Sequence, residues 1–215
     1  RRRVFCASLA DVFDNKVDSA WRDELWALVR ATPNLDWLIL TKRVGNVSGM
    51  LPNDWGTGYA NVWLGISVVN QEEADRDISK LRALPAMTRF LSMEPMLGPI
   101  TINFEKAECL NGCGGVQPVL CNGDKDLCCP KCGAMTTTCS PARPNALYGI
   151  HWVIVGGESG PHARPMQESW VDAIRSQCER FRTAFFFKQW GGSSADKGGC
   201  QLASGEESKQ WPMAA

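Results

Sequence analysis

The chain has 215 residues, 44% of them hydrophobic, which is enough to form a packed core in one large domain or two small ones. Basic and acidic residues number 23 each, so the charge gives no support to a dedicated nucleic-acid-binding protein. No apolar run approaches the roughly 20 residues that cross a bilayer, and no signal-peptide pattern opens the chain. We therefore expect a cytoplasmic protein without a membrane partner.

Six short apolar runs rich in β-branched and aromatic residues predict β-strands. In chain order they cover residues 4–8, 36–41, 62–68, 88–93, 151–155 and 184–187. Their starts are separated by 32, 26, 26, 63 and 33 residues. Because a β-α-β unit takes about 30 residues, only the interval of 63 requires an insertion.

Three stretches with helical spacing lie between these strands. The first runs from about residue 18 to 31 and is predicted to bury a face that carries Trp21, Leu25, Leu28 and Val29. The second follows Asn70, a suitable N-cap residue, and ends before a proline. The third has its apolar face over residues 170–181.

Apolar strands that alternate with amphipathic helices indicate a parallel sheet covered by helices. The sequence thus predicts an α/β fold, a partial (β/α) barrel of about six parallel strands with a small zinc-ribbon-like insertion. We divide the chain into a first part of the barrel (1–104), the insertion (105–145), a last part of the barrel (146–191) and a flexible tail (192–215). Since the first strand begins at residue 4, we expect the chain to start within a domain.

Seven of the ten cysteines lie between residues 109 and 139, a clustering that favours a metal site over dispersed disulfides. The pairs Cys109 with Cys113 and Cys129 with Cys132 lie beside glycines and predict a closed, tetrahedral structural zinc site. Other cysteines of the cluster could replace a member of either pair, and a loop of free or oxidised thiols is the alternative.

Side chains just past the carboxyl ends of parallel strands line the active-site face of such folds. In this chain many of these positions are polar, charged or glycine. They are Ser8, Asp11, Thr41, Lys42, Arg43, Ser67, Asn70, Ser92, Glu94, Gly156, Gly157, Glu158, Ser159, Lys188 and Gln189.

Glu94 and Glu158 leave buried strands and are candidate catalytic residues, together with Lys188. They could bind hydroxyl or amine groups or exchange protons, but a structural ion-pair network is the alternative for each glutamate. Gly156 and Gly157 permit close backbone approach to a ligand, although a glycine pair after a strand is also an ordinary turn.

Five segments carry a resemblance to a known family: LTKR (40–43), WLGISV (63–68), RFLSMEP (89–95), GGESG (156–160) and FFKQWGG (186–192). In this order they resemble an uncharacterised phage-associated protein family, which is similar to a divergent branch of the radical S-adenosylmethionine superfamily. The resemblance covers about residues 4 to 192 and is interrupted only by the insertion.

The resemblance implies a partial barrel that holds a [4Fe-4S] cluster and binds S-adenosylmethionine across the carboxyl ends of its strands. In that superfamily three clustered cysteines upstream of the first strand ligate the iron, so the cluster is expected only in a longer family protein. By position, Ser8 and Asp11 are expected near the amino acid part of the cofactor. Its carboxylate is expected near Lys42, Arg43 and Ser67, and its nucleoside near Gly156, Gly157 and Glu158.

The leading hypothesis is the carboxyl-terminal part of a radical S-adenosylmethionine-like enzyme with a small-molecule or nucleotide substrate. A phage setting would suit nucleotide or nucleic-acid modification, but no residue selects it. Two other classes stay open: a binding module whose zinc ribbon contacts protein or nucleic acid, and a cluster-free barrel enzyme that uses the paired glutamates. The substrate and the oligomeric state are left open.

Overall fold

The computed structural model describes residues 1–7, 9–102 and 149–212, and the backbone of residues 119–121 and 126–128. The predicted strands and helices are present, with one further short helix, α2. In chain order the elements are β1 (Arg2–Cys6), α1 (Ser19–Ala31), β2 (Leu35–Thr41), α2 (Val44–Val47), β3 (Val62–Ser67), α3 (Gln71–Ala83), β4 (Thr88–Met93), β5 (Val119–Cys121), β6 (Asp126–Cys128), β7 (Trp152–Gly156), α4 (Glu168–Arg180) and β8 (Ala184–Gln189).

Six strands form one parallel sheet in the order β1-β2-β3-β4-β7-β8, which is their order along the chain. A sheet that adds each strand next to the preceding one curves into a barrel wall, and the six strands here form a half-barrel. The predicted partial barrel of six parallel strands is confirmed. All six carboxyl ends lie along the same edge of the sheet.

The insertion between β4 and β7 contributes β5 and β6, which pair with each other in antiparallel register. This hairpin lies between the two predicted cysteine pairs. Cys109, Cys113, Cys129 and Cys132 themselves lie outside the described residues. The zinc site and the division of the chain into barrel, insertion and tail therefore stay predictions.

Local hydrogen bonds start two of the helices where the sequence indicated. The side chain of Asp18 accepts a hydrogen bond from the amide of Ala20 at the start of α1. At the start of α3, Asn70 accepts from the amide of Glu73, whose carboxylate in turn accepts from the amide of Val69. Both caps satisfy amide groups that lack a partner within the first helical turn.

The predicted inward face of α1 was partly wrong. Val29 is buried and Leu25 packs against the core as predicted, whereas Trp21 and Leu28 are exposed and Trp26 is buried instead. The helix has two apolar stripes, and the ring of Trp26 selects one of them by packing against Trp55 and donating a hydrogen bond to a backbone carbonyl. A single-sequence pattern cannot rank two stripes of similar apolarity.

The opposite faces of the sheet bury two separate clusters of side chains. The larger cluster lies under the helices, and the smaller one, called the inner face below, consists of Leu38, Trp63, Phe90, Trp152 and Ile154. Gly65 lies beside Phe90 on the inner face, and a Cβ at position 65 would overlap the phenyl ring. The glycine is what allows a phenylalanine at that point of the wall.

The last strand of the sheet is covered by residues that follow it. The amide of Phe187 donates to the carbonyl of Ser208 (2.7 Å), and the amide of Gln210 donates to the carbonyl of Phe185 (3.0 Å). Trp211 packs on Trp152, with ring centroids 4.6 Å apart. Residues 208–211 thus occupy the free edge of β8.

The ring of Trp211 also meets the opposite end of the sheet. The guanidinium carbon of Arg3, on β1, lies 3.9 Å from its centroid, which is a cation–π contact. The contact links the first strand of the half-barrel to the residues that cover the last one. Among the described helices, none is long and apolar enough to span a membrane.

Candidate functional site

Asp11 is the hub of the loop that follows β1. Its carboxylate accepts hydrogen bonds from the hydroxyl of Thr41 (2.7 Å) and from the amides of Phe13 (3.0 Å) and Lys42 (2.9 Å). The guanidinium of Arg43 donates the fourth, at 3.1 Å. Since both carboxylate oxygens are occupied, Asp11 positions the carboxyl end of β2 and has little capacity left for a ligand.

The two cations after β2 differ in how they are held. Arg43 is fixed by ion pairs to Asp11 (3.1 Å) and Asp14 (2.9 Å). Lys42 is exposed, and within the described part of the chain its ammonium group forms no hydrogen bond or ion pair. Lys42 therefore offers a positive charge that is free to meet an anion.

A cleft of about 460 Å³ opens at the carboxyl ends of β1, β2 and β3. Its polar lining consists mainly of residues that the sequence marked as cofactor-binding, joined by apolar side chains of β1 and β2. The lining includes Asp11, Lys42, Arg43 and Ser67, with Thr41, Phe5 and Leu40. Ser8 lies outside the described residues.

Two buried hydroxyl groups lie side by side next to this cleft. Ser67 and Ser92 are register partners on β3 and β4, with only 7% and 5% of each residue exposed. Within the described residues neither hydroxyl has a hydrogen-bond partner. A buried polar group without a partner costs about 1–3 kcal/mol, so Ser67 favours a polar ligand in the cleft that it lines.

Glu94 follows β4 and is tied to the end of β8. Its Oε1 accepts a hydrogen bond from the ammonium of Lys188 at 2.7 Å and from the side-chain amide of Gln189 at 3.1 Å. A Cβ added to Gly156 would lie 3.3 Å from the Glu94 carboxyl carbon. Gly156 thus leaves the space in which this carboxylate lies, and the geometry matches the ion-pair alternative for Glu94.

Glu158 is held by a residue that the sequence analysis did not single out. Arg164 donates to both carboxylate oxygens at 2.8 Å, and its backbone amide donates a third bond at 2.8 Å. The side-chain hydrogen bond from Arg164, with help from the amide, lowers the pKa of Glu158 to about 2. A carboxylate held in this way stays ionised and is poorly suited to donate a proton.

Gly157 serves the contact between two loops. Its amide donates to the carbonyl of Gln189 at 2.9 Å, and a Cβ there would overlap the carbonyl oxygen of Trp190. Gly191, across from it, has a positive φ of 94°, and a Cβ there would overlap the Glu158 carbonyl oxygen. The close approach that these glycines permit is made by backbone of the same chain.

The predicted site residues thus form two groups along one edge of the sheet. Asp11, Lys42, Arg43 and Ser67 share the cleft at β1–β3, whereas the glutamates, the glycine pair and Lys188 lie at β4, β7 and β8. In the described part of the chain, no three histidine, cysteine, aspartate or glutamate side chains are grouped so that they could hold a metal ion. The sequence analysis did not single out Arg164 or Asp14 as partners of the site residues. The signal for Arg164 is weak, because it is one cation in the short loop after Glu158.

The chain is thus an α/β half-barrel with a polar cleft at the carboxyl ends of its first three strands. The chain belongs to the family described as "Protein of unknown function (DUF5131)", whose family model matches residues 1–211. The expected membership of an uncharacterised family is therefore confirmed. No curated protein and no solved structure matches the chain.

Proposed function

We propose that the half-barrel binds S-adenosylmethionine in the cleft at β1–β3, as the carboxyl-terminal part of a radical S-adenosylmethionine-like enzyme. The observation that carries the proposal is that Asp11, Lys42, Arg43 and Ser67 line a single cleft. The family resemblance implies the same residues for the amino acid part and the carboxylate of the cofactor. The radical chemistry rests on the family resemblance.

The donor set of the cleft suits the amino acid end of the cofactor. A carboxylate needs a cation and hydrogen-bond donors, and Lys42 supplies a free ammonium group while Ser67 supplies a free hydroxyl within the described residues. Phe5 and Leu40 give apolar surface in the same cleft. Asp11 and Arg43 act on the ligand indirectly, because their mutual ion pair sets the backbone that carries Lys42.

The described residues do not offer a place for the iron-sulfur cluster, because no suitable group of ligands is present among them. In this proposal a cysteine triplet upstream of β1 holds the cluster, as the resemblance implies. With the cluster and S-adenosylmethionine both bound, the enzyme would abstract a hydrogen atom from its substrate. The row of Ser92, Glu94 and Lys188 then lies where substrate polar groups would bind.

The insertion is proposed to hold a structural zinc ion through Cys109, Cys113, Cys129 and Cys132. The antiparallel hairpin of β5 and β6 supports this, because a hairpin between two cysteine pairs is what a ribbon-like zinc module contains. Closed four-cysteine coordination gives zinc a role in folding and none in the reaction.

Calorimetric titration of this chain with S-adenosylmethionine and with adenosine tests the cleft. Removing a charged partner of the carboxylate costs about 1.5 kcal/mol, so Lys42→Ala should weaken cofactor binding about tenfold and leave adenosine binding unchanged. Lys16→Ala removes the same charge from an exposed position outside the cleft and should change neither affinity. Failure of the wild-type chain to bind, or equal effects of the two variants, would refute the proposed site.

The radical reaction is tested separately. The chain extended through its preceding coding sequence, reconstituted anaerobically with iron and sulfide, should show cluster absorbance and form 5′-deoxyadenosine. Absence of both would reject radical chemistry, while the titration would still report whether the cleft binds the cofactor.

A further inference from the structure

Three polar side chains meet on a second hairpin, formed by residues 200–209 and called the carboxyl-terminal hairpin below. None of the three lines the cofactor cleft. The thiol of Cys200 donates to Glu207 at 3.3 Å, and the ammonium of Lys209 lies 3.5 Å from the Cys200 sulfur. Lys209 also pairs with Glu207 at 2.7 Å. The antiparallel bridge between Gln201 and Glu207 brings the two arms of the hairpin together.

Small molecules can reach this sulfur. Cys200 is half-buried and lines a cavity of about 700 Å³, together with Met166, Trp190 and Leu202. The cavity and the proposed cofactor cleft share no lining residue. Oxidants of the size of hydrogen peroxide therefore have access to Cys200.

The other described cysteines lack this setting. Cys178 is buried in the core, where burial raises the pKa of its thiol to about 12. Burial also raises the pKa of Cys6. Neither has a hydrogen bond to a lysine among the described contacts, so of these three thiols only Cys200 has an amine beside it.

We propose that Cys200 and Lys209 form a modification site, in which oxidation by a peroxide joins the cysteine sulfur to the lysine nitrogen as a sulfenamide. The reacting atoms are already 3.5 Å apart, and the Glu207 carboxylate contacts both side chains and holds them together. Sulfenic acids condense reversibly with a backbone nitrogen to form a sulfenamide, and here the lysine amine takes the place of that nitrogen.

The chemistry balances in two steps. The Cys200 sulfur attacks one peroxide oxygen, the O–O bond breaks, and sulfenic acid and water form; sulfur is oxidised by two electrons and peroxide is reduced. The Lys209 ammonium, whose pKa is raised by its hydrogen bond to Glu207, first releases a proton to water, and the free amine then attacks the sulfenic sulfur. The S–N bond forms, the S–O bond breaks, and a second water molecule leaves.

The cross-link would close a ring across the hairpin that lies against β8. The amide of Trp190 donates to the carbonyl of Gly199, and the amide of Phe187 donates to that of Ser208. Gly199 and Ser208 are the chain neighbours of Cys200 and Lys209, so both linked residues lie next to a hydrogen bond that holds the hairpin to β8 or to the residue after it. Oxidation would therefore fasten the hairpin against the last strand, and reduction would release it.

Peptide mapping after peroxide treatment tests the proposal. Trypsin cleaves after Lys197 and Lys209, so the reduced chain yields residues 198–209 as one peptide. The cross-link blocks cleavage at Lys209 and is expected to yield residues 198–215 with a mass lower by about 2 Da and no fragment ions from within the ring. Dithiothreitol should restore the 198–209 peptide.

Lys209→Arg is the matched variant, because arginine keeps the positive charge beside Glu207 but is a poor nucleophile. In this variant Cys200 should proceed to the sulfinic and sulfonic acids, with no ring. Lys16→Ala should form the ring as the wild type does. If wild-type Cys200 gains oxygen, or forms a disulfide, while Lys209 is cleaved normally, the proposal is overturned.

Discussion

At the scale of single residues, the carboxylates of Asp11 and Glu158 hold the loops that follow their strands in place. Asp11 takes four donors from the β1 and β2 loops, and Glu158 takes three from Arg164. Each carboxylate lies where a parallel strand ends and the chain must turn. Asp11 and Asp14 hold Arg43, so Lys42 is the cation of the cleft that has no partner within the described residues.

Replacing Asp11 by asparagine should destabilise the fold. The amide would keep one acceptor oxygen but turn an NH2 group toward donors, leaving backbone or guanidinium groups unpaired at a cost of about 1–3 kcal/mol. Asp14→Asn, which loses only a more exposed ion pair to Arg43, should cost less than about 1 kcal/mol. Urea denaturation measures both, and equal losses would contradict the role assigned to Asp11.

The pair of Glu158 and Arg164 predicts a dependence of stability on pH. The folded pKa of Glu158, about 2, lies below its ordinary value of 4.5, so its contribution is full above pH 4.5 and is lost as pH falls toward 2. The difference in unfolding free energy between the wild type and Glu158→Gln should therefore shrink over that range. Denaturation at several pH values checks this, and a constant difference would count against the pairing.

At the scale of elements, the sequence located the strands and helices because each is marked by short-range signals. Apolar runs marked β3 and β4, and Asn70 marked the start of α3. The residues at strand ends could be named in advance because parallel strands place all their carboxyl ends on one edge. Their partners could not, since Glu94 and Lys188 are 94 positions apart in the chain and meet only once the sheet has formed.

The insertion carries the prediction of a structural metal. The wild-type chain should bind about one equivalent of zinc, because the four proposed thiolate ligands would complete a tetrahedral shell. A variant with Cys129 and Cys132 changed to serine should lose the metal. A variant with Cys178 changed to serine should keep it, since that thiol is in the barrel core. Elemental analysis decides the matter, and full zinc content in the first variant would contradict the assignment.

At the scale of the whole molecule, a half-barrel has two free edges, and the chain covers one of them with residues 208–211. Sequence reasoning did not find this pairing, because the segment is polar and has no period of its own. Its position depends on the unpaired groups of β8 and on the aromatic surface of Trp152 and Phe186. Such an arrangement exists only once the sheet has formed.

Trp211→Ala should lower the stability of the whole fold. The substitution removes ring contacts with Trp152 and Phe186 and the cation–π contact with Arg3, at a cost of about 1–3 kcal/mol for a partly exposed aromatic side chain. Trp21→Ala, at a ring that is 67% exposed on α1, should cost less than about 0.5 kcal/mol. Thermal unfolding compares the two, and similar midpoints would mean that Trp211 does not hold the sheet.

Binding of S-adenosylmethionine in the proposed cleft at β1–β3 should be visible in an amide spectrum of the isotope-labelled chain recorded during titration. The amides of Lys42, Arg43 and Ser67 should shift with increasing cofactor, while those of Lys16 and Gly205, which do not line the cleft, stay in place. Shifts confined to the loops after β7 and β8, or no shifts at all, would contradict the account.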